Sequence, residues 1–332
     1  MDIAIIGCGL IGKKRAEALT REDRVVACCD SNSHAAEAFG NTFGCRSYTD
    51  YRNLLEETTS EAVVVSVVNK YTSEIAVEAL KHGKHVLAEK PLGRNKQEAV
   101  IIENAAISSR KILKTGFNHR FHPAVRKAKS MFDSGAIGRV LSIRARYGHG
   151  GRPGMEKEWR TSKELCGGGE LLDQGVHVID LCRWFAGEMM MVFGVVKTKF
   201  WDIEVEDNAF VYMQSRDGAD IQFNVSWTNW KNIFSFEVFG TEGYFRVEGL
   251  GGNYGPETLE YGKRRREGGR PDIEITEFPQ KDVSWMEEWL EFRRAVDEKR
   301  PPIGDGHDGM KANEIIDAIY RSAREGGPVL ID

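Results

Sequence analysis

Between residue 2 and about residue 118, short apolar runs alternate with stretches whose apolar positions recur at helical spacing. The runs cover 3–7, 25–30, 62–68, 85–90 and 111–117, and helices are expected near 10–21, 32–40, 71–82 and 95–109. Runs that are apolar on both faces belong in a parallel sheet covered by helices, and this strand–helix rhythm predicts βαβ units. Past the segment NHRFHP (118–123) the rhythm stops, so one domain is expected over 1–120 and a second over 121–332. There a helix over 122–134 leads to strands near 139–148, 192–200, 205–215, 219–228, 233–240 and 243–248. Ile221, Phe223, Val225 and Trp227 alternate with Asp220, Gln222, Asn224 and Ser226. One buried and one polar face predict a large, open, mainly antiparallel sheet. The closing helix carries Ala312, Ile315, Ile316, Ile319, Tyr320 and Ala323 as a packing stripe. The expected fold class is α/β: a doubly wound parallel sheet followed by an α/β domain on the open sheet.

Composition removes several classes of function. At 332 residues the chain is long enough for two domains. Lys and Arg number 46 against 50 Asp and Glu, a formal charge of −4, without the concentrated basic excess that nucleic-acid binding needs. The longest apolar runs, AVVVSVV and MMMVFGVV, fall far short of the roughly 20 residues of a membrane span. The opening MDIAIIGCGLIG imitates a short signal core, but Asp2 stands where basic residues belong, and it reads as a buried strand. Cys8, Cys28, Cys29, Cys45, Cys166 and Cys182 form no CxxC pair and have no histidines at zinc spacing. Reduced thiols in a cytoplasmic protein are expected, and no metal. Lys263, Arg264, Arg265 and Arg266 read as a solvated loop.

Candidate chemistry sits where strands end. The first run closes in Gly7, Cys8, Gly9, Leu10, Ile11 and Gly12, a GxGxxG between strand and helix. Its first glycine permits the tight turn, its second lets a pyrophosphate approach the backbone, and its third lets the helix pack on the strand. The second run ends in Asp30, placed to hydrogen-bond adenosine ribose hydroxyls. An Asp there repels a 2′-phosphate, and Ser31, Asn32 and Ser33 offer no Arg to receive one, so NAD is expected over NADP. The run at 85–90 ends in Glu89, Lys90 and Pro91, which aims the Lys90 ammonium at the cofactor crevice. The expected cofactor contacts are Gly7, Gly9, Leu10, Ile11, Gly12, Asp30, Ser31, Asn69, Glu89 and Lys90.

The segment CGGGELLDQGVHVIDLCRWF (166–185) is the most informative. Three glycines bring backbone close to a ligand, and in the helix that follows Asp173 and His177, four apart, share one face. Asp180 continues the stripe, while Leu172, Val176, Ile179 and Phe185 anchor the helix. A carboxylate beside an imidazole orients the ring and raises its proton affinity, giving a general acid/base near neutral pH. An exposed surface pair is the alternative, and a metal lacks a third ligand at recognisable spacing. Arg120 and His122 either pack the hinge or approach a substrate. Arg152, Lys157, Trp159 and Arg160, in the glycine-rich loop 148–160, either clamp an anionic group or belong to a mobile basic loop. Trp227 and Trp230 suit sugar stacking or simple packing.

With GCGLIG, Asp30, EKP and GGGxxxDxGxH in this order and at these distances, the chain resembles the Gfo/Idh/MocA oxidoreductase family over essentially its whole length. The EKP strand end and the DxGxH helix are specific together; the glycine motif alone is not. The resemblance implies an N-terminal Rossmann domain and an open-sheet domain that forms a homodimer or homotetramer. It further implies hydride transfer between nicotinamide and a secondary alcohol or ketone of a sugar, sugar acid, nucleotide sugar or polyol. It carries catalytic roles onto Lys90, Asp173 and His177; the expected substrate contacts are these three with Arg120, His122, Arg152 and Trp159. In that family the peptide before the EKP proline is often cis, which is expected of Lys90–Pro91. Two other activities occur on this fold: glycoside cleavage through transient oxidation by bound NAD, and non-catalytic binding as a regulator. The trio of Lys90, Asp173 and His177 argues against the second.

Overall fold

A computed structural model describes residues 1–331. Its first part runs β1 (Asp2–Ile6), α1 (Leu10–Glu17), β2 (Arg24–Cys29), α2 (Ser33–Phe43), β3 (Arg46–Tyr48), α3 (Tyr51–Glu57), β4 (Ala62–Val65), α4 (Asn69–Lys81), β5 (His85–Ala88), α5 (Lys96–Ser109) and β6 (Leu113–Thr115). The six strands pair in parallel in the order β3-β2-β1-β4-β5-β6. This is the expected doubly wound sheet. β4 is buried along its whole length because helices cover both faces, which is why it reads as an unbroken apolar run. Strand order reverses between β1 and β4, so Gly7 and Ser66, just beyond their carboxyl ends, flank the point where such sheets bind ligands. Asn32, Asp50 and Asn95 cap α2, α3 and α5 with side-chain oxygens. The sequence reading contains neither β3 nor α3. β3 is a three-residue edge strand with Arg46 and Ser47 exposed, so it has no apolar run to betray it.

The remaining chain forms α6 (Pro123–Asp133), β7 (Val140–Gly148), the short helices α7 (Lys163–Cys166) and α8 (Glu170–Asp173), and α9 (Gly175–Ala186). Then come β8 (Met189–Lys197), β9 (Asn208–Ser215), β10 (Asp220–Ser226), β11 (Ile233–Gly240), β12 (Gly243–Glu248), β13 (Glu257–Lys263), β14 (Asp272–Phe278), α10 (Ser284–Glu298), α11 (Gly306–Glu325) and β15 (Val329–Leu330). A nine-stranded sheet has the order β14-β13-β12-β11-β7-β10-β9-β8-β15. Only β7 and β10 run parallel; the other pairs are antiparallel. α9 packs on β7 and β10 and is buried almost throughout. β13 and β14 were not expected. β14 is an edge strand exposed along nearly its whole length, with even Ile273 and Ile275 facing outward. Lys263 ends β13, and Arg264, Arg265 and Arg266 follow in an exposed connection.

The chain divides into two compact units, but not at a single boundary near 120. The first comprises 1–118, 164–166 and 285–313; the second comprises 119–163, 167–284 and the residues from Glu314 on. The return at 285–313 has a packing cause. Trp289 and Phe292 of α10 join Ile3, Ile5, Val25, Cys28, Val64 and Leu87 in one core cluster, and removing such aromatic surface from water is strongly favourable. Among the described residues no helix is long and apolar enough to cross a membrane.

Candidate active site

In the first unit, β1 delivers the chain into Gly7, whose φ of +101° is left-handed. A Cβ at Gly7 would lie 2.3 Å from the Ser66 carbonyl oxygen, and one at Gly12 would lie 1.9 Å from that of Gly7. Both positions therefore require glycine to close the turn. Gly9 differs. A Cβ there would meet no atom within 4 Å, and the neighbouring Leu10 is 70% exposed. The open side of Gly9 thus leaves the N-terminus of α1 approachable by a phosphate group. Ser66, absent from the sequence expectation, locks the turn by donating its hydroxyl to the Gly7 carbonyl at 2.9 Å.

Asp30 lies at the margin of this loop. One carboxylate oxygen accepts from the Cys8 N–H and the other from the Asn32 N–H, each at 2.9 Å. The second lone pair of each oxygen suits ribose hydroxyls. Ser31 and Asn32 are exposed. These features fit the adenosine ribose of a dinucleotide.

Beyond β5, Lys90–Pro91 is cis. Glu89 accepts from Arg15 Nε at 2.6 Å and from the Lys90 backbone N–H at 3.3 Å. Arg15, 2% exposed, also donates Nη1 to Glu288 at 2.6 Å. Burial alone would lower the Arg15 pKa, but the two carboxylates outweigh it and hold the guanidinium charged. Glu89, expected at the cofactor, is half-buried and held by Arg15, and it steadies the backbone of Lys90. The bonds of Arg15 to Glu89 and to Glu288 were not legible, since the three residues lie far apart in sequence. Asn69, at the start of α4, donates its amide to the Cys166 carbonyl at 2.9 Å.

In the second unit the single helix expected for Asp173 and His177 is two pieces. α8 stops at Asp173, α9 starts at Gly175, and the His177 N–H reaches the Gln174 carbonyl at 3.1 Å. Asp180 does not continue a polar stripe toward a cleft. It is wholly buried and bound to Arg120 at 2.8 and 2.6 Å. Helical spacing, four residues and then three, gave Asp180 the same standing as its neighbours, and its partner, far back in the chain, removes that standing. His122 is likewise interior, with Nδ1 3.1 Å from Glu257, whose other oxygen accepts the Ala124 N–H at the start of α6. Both side chains are held by carboxylates inside the second unit.

His177, 4% exposed, stacks on His119 with ring centroids 3.7 Å apart. His119 Nε2 lies 3.0 Å from the Tyr147 hydroxyl, and Gln174 donates to the Tyr254 hydroxyl at 2.8 Å. Burial first, then nearby charges including those of Glu170 and Asp173, hold the Tyr147 phenol well above its ordinary pKa and push that of Tyr254 to about 12. Both phenols are therefore protonated at neutral pH. His149 is pulled down by burial, against the opposing charge of Asp173. Sequence reasoning missed His119, Tyr147, Gln174 and Tyr254, because they come from separate segments and share no spacing. In the glycine-rich loop, Arg152 pairs with Glu158 at 2.8 and 2.7 Å, and Arg160 stacks over Trp159 at 4.6 Å. Trp227 is buried in the packing, whereas Trp230 is exposed. Among the described residues no group of three or more His, Cys, Asp or Glu is arranged to hold a metal ion.

Residues 1–117 match the profile of an oxidoreductase family with an NAD-binding Rossmann fold, and residues 125–246 match the GFO/IDH/MocA C-terminal domain. The levoglucosan dehydrogenase of Pseudarthrobacter phenanthrenivorans is 27% identical over 73% of this chain and 72% of its own length. The myo-inositol 2-dehydrogenase of Thermotoga maritima is 27% identical over 100% of this chain and 99% of its own. A solved structure of levoglucosan dehydrogenase with NADH and levoglucosan is similar at a TM-score of 0.90 and 25% identity, covering 100% of this chain and 99% of that one.

Proposed function

The chain belongs to the Gfo/Idh/MocA oxidoreductase family and is an NAD-binding oxidoreductase of the sugar or polyol dehydrogenase type; from that premise we propose that it interconverts a secondary alcohol and a ketone on a neutral sugar or polyol, using NAD in preference to NADP. The observation that carries this reading is the turn after β1. Gly7 and Gly12 are closed by backbone contacts, Gly9 is open, and the Asp30 carboxylate is anchored beside them. That carboxylate suits ribose hydroxyls and repels a 2′-phosphate.

Bound at this loop, NAD supplies the acceptor for the hydride that leaves the substrate carbon. His177 takes the proton of the reacting hydroxyl at a ring nitrogen. Lys90 donates a charge-assisted hydrogen bond to the oxygen as its negative charge develops, and Asp173 steadies the positive charge that His177 acquires. Residues 1–120 thus carry the cofactor, and the later part of the chain supplies the proton acceptor. The preference for a neutral substrate follows from the loop 148–160, where Glu158 offsets the charge of Arg152.

The test is a nicotinamide absorbance assay with NAD or NADP against inositols, free sugars, uronic acids and nucleotide-linked sugars, run beside Lys90→Met. NADH formation with a neutral polyol or sugar is expected. Lys90→Met should bind NAD nearly as well while turnover falls roughly 10²- to 10⁴-fold. Unaltered turnover would remove Lys90 from the chemistry. Sugar cleavage with NAD retained and no net reduction would place the chain among redox-assisted glycoside hydrolases and lyases instead, and failure to bind NAD would leave a regulatory binder.

A further inference from the structure

His119 and His177 are far apart in sequence, one in the tight turn Asn118–Phe121 and the other in α9, yet their imidazoles lie face to face. The centroids are 3.7 Å apart, the planes are inclined by 20°, and both residues are about 5% exposed or less. Groups from several surrounding elements face the pair. Tyr147 of β7 meets His119 Nε2 at 3.0 Å, and the Tyr254 ring lies 5.3 Å from that of Tyr147. Asp173 and Glu170 of α8 bring negative charge to the same phenols. His122 meets His119 edge-on at 5.5 Å and is itself paired with Glu257, and the Arg120–Asp180 pair adds no net charge. Phe234 of β11 meets the rings of His119 and Tyr147 edge-on.

We infer that the proton acceptor of this site is the stacked pair His119/His177 acting as one titrating unit, which binds a single proton while the second ring stays neutral. The inference rests on the reading of His177 as the group that takes the substrate proton. Two imidazolium rings stacked in a buried site repel each other with little water to screen them, so the second protonation is far less favourable than the first. The first is favoured by Asp173 and Glu170. The phenol of Tyr147, kept protonated, can donate to His119 Nε2, which fixes the neutral tautomer with its proton on Nδ1. His119 is then a positioning residue. When the substrate O–H bond breaks and an N–H bond forms on His177, the new positive charge lies over a neutral ring, whose face attracts it.

Ring resonances of ¹³C-histidine-labelled protein, followed from about pH 5 to about pH 9, test this in wild type, His119→Phe, His177→Phe and the double variant. Phenylalanine keeps the shape of the stack. The expected uptake by the pair is one proton in wild type, one in each single variant and none in the double. Two independent protonations in wild type overturn the proposal, as does none. Where a variant fails to fold, the acid limb of wild-type kcat/KM supplies the check: a one-proton slope supports the shared proton, and a two-proton slope overturns it. Because the resonance titration needs no turnover, a missing dehydrogenase activity and a missing shared proton are separate results.

Discussion

Arg120 and Asp180 meet edge to edge inside the second unit, Nε to Oδ2 at 2.8 Å and Nη2 to Oδ1 at 2.6 Å, with the carboxylate wholly buried and the guanidinium 4% exposed. Two charges so far from water are tolerable only together. Asp180→Asn leaves an arginine charge without its counterion and is expected to cost about 3–5 kcal/mol. Replacing both residues with apolar side chains should cost less than the sum of the single changes. Urea unfolding of the three variants measures this, and an Asp180→Asn protein as stable as wild type would refute it.

The two glycines that end the GxGxxG turn should respond differently to alanine. At Gly12 the added Cβ meets the Gly7 carbonyl at 1.9 Å, so Gly12→Ala must displace backbone and lower both stability and NAD affinity. At Gly9 the Cβ enters open space. Gly9→Ala should change stability by no more than about 0.5 kcal/mol while weakening NAD binding, because the methyl group occupies the side a pyrophosphate approaches. Thermal unfolding beside calorimetric NAD titration separates the two, and equal behaviour would count against a cofactor role for Gly9.

Asp207 supplies a pH dependence of defined sign. It is wholly buried and accepts from the backbone N–H groups of Lys199, Phe200 and Trp201 at 2.8, 2.8 and 3.0 Å, and from the Asn208 amide at 3.0 Å. Burial pushes its pKa up, but these donors outweigh it and leave the carboxyl below the usual 3.8. A folded-state pKa below the unfolded one contributes stability that is complete above 3.8 and lost as pH falls through the folded value. Asp207→Asn should therefore cost about 1–3 kcal/mol at neutral pH, a deficit that narrows in acid. Denaturation at neutral pH and at about pH 3 is the measurement; a constant deficit contradicts the assignment.

The outer face of the nine-stranded sheet presents Phe193, Val195, Phe210 and Tyr212, which are 38%, 41%, 47% and 37% exposed on β8 and β9. Adjacent apolar side chains on an open face mark an association surface, so a homodimer or homotetramer is expected through it. Phe210→Asp should shift the mass seen by light scattering to that of a monomer and leave NAD binding unchanged. A monomeric wild type would rule the association out.

The sequence alone determined those features whose physics is local. β4 reads as a strand because burial on both faces forces every position to be apolar. The turn after β1 reads as a nucleotide loop because Gly7 takes a left-handed φ and Gly12 answers a steric demand of the Gly7 carbonyl five residues away. Asp173 and His177 stand out by their spacing of four. Tertiary structure decided everything that depends on which distant segment a side chain meets. Asp180 looked like a further member of the polar stripe until Arg120 neutralised it in the interior, and the pairing of Glu89 with Arg15 has no trace in the local pattern. The edge strand β3, three residues with only Tyr48 buried, left too short a hydrophobic pattern to read. His119 reaches His177, and Trp289 reaches the first sheet, only because the folded chain brings remote residues together. Periodicity follows from the backbone within one element, whereas a side chain's partner follows from packing between elements, which no local pattern encodes.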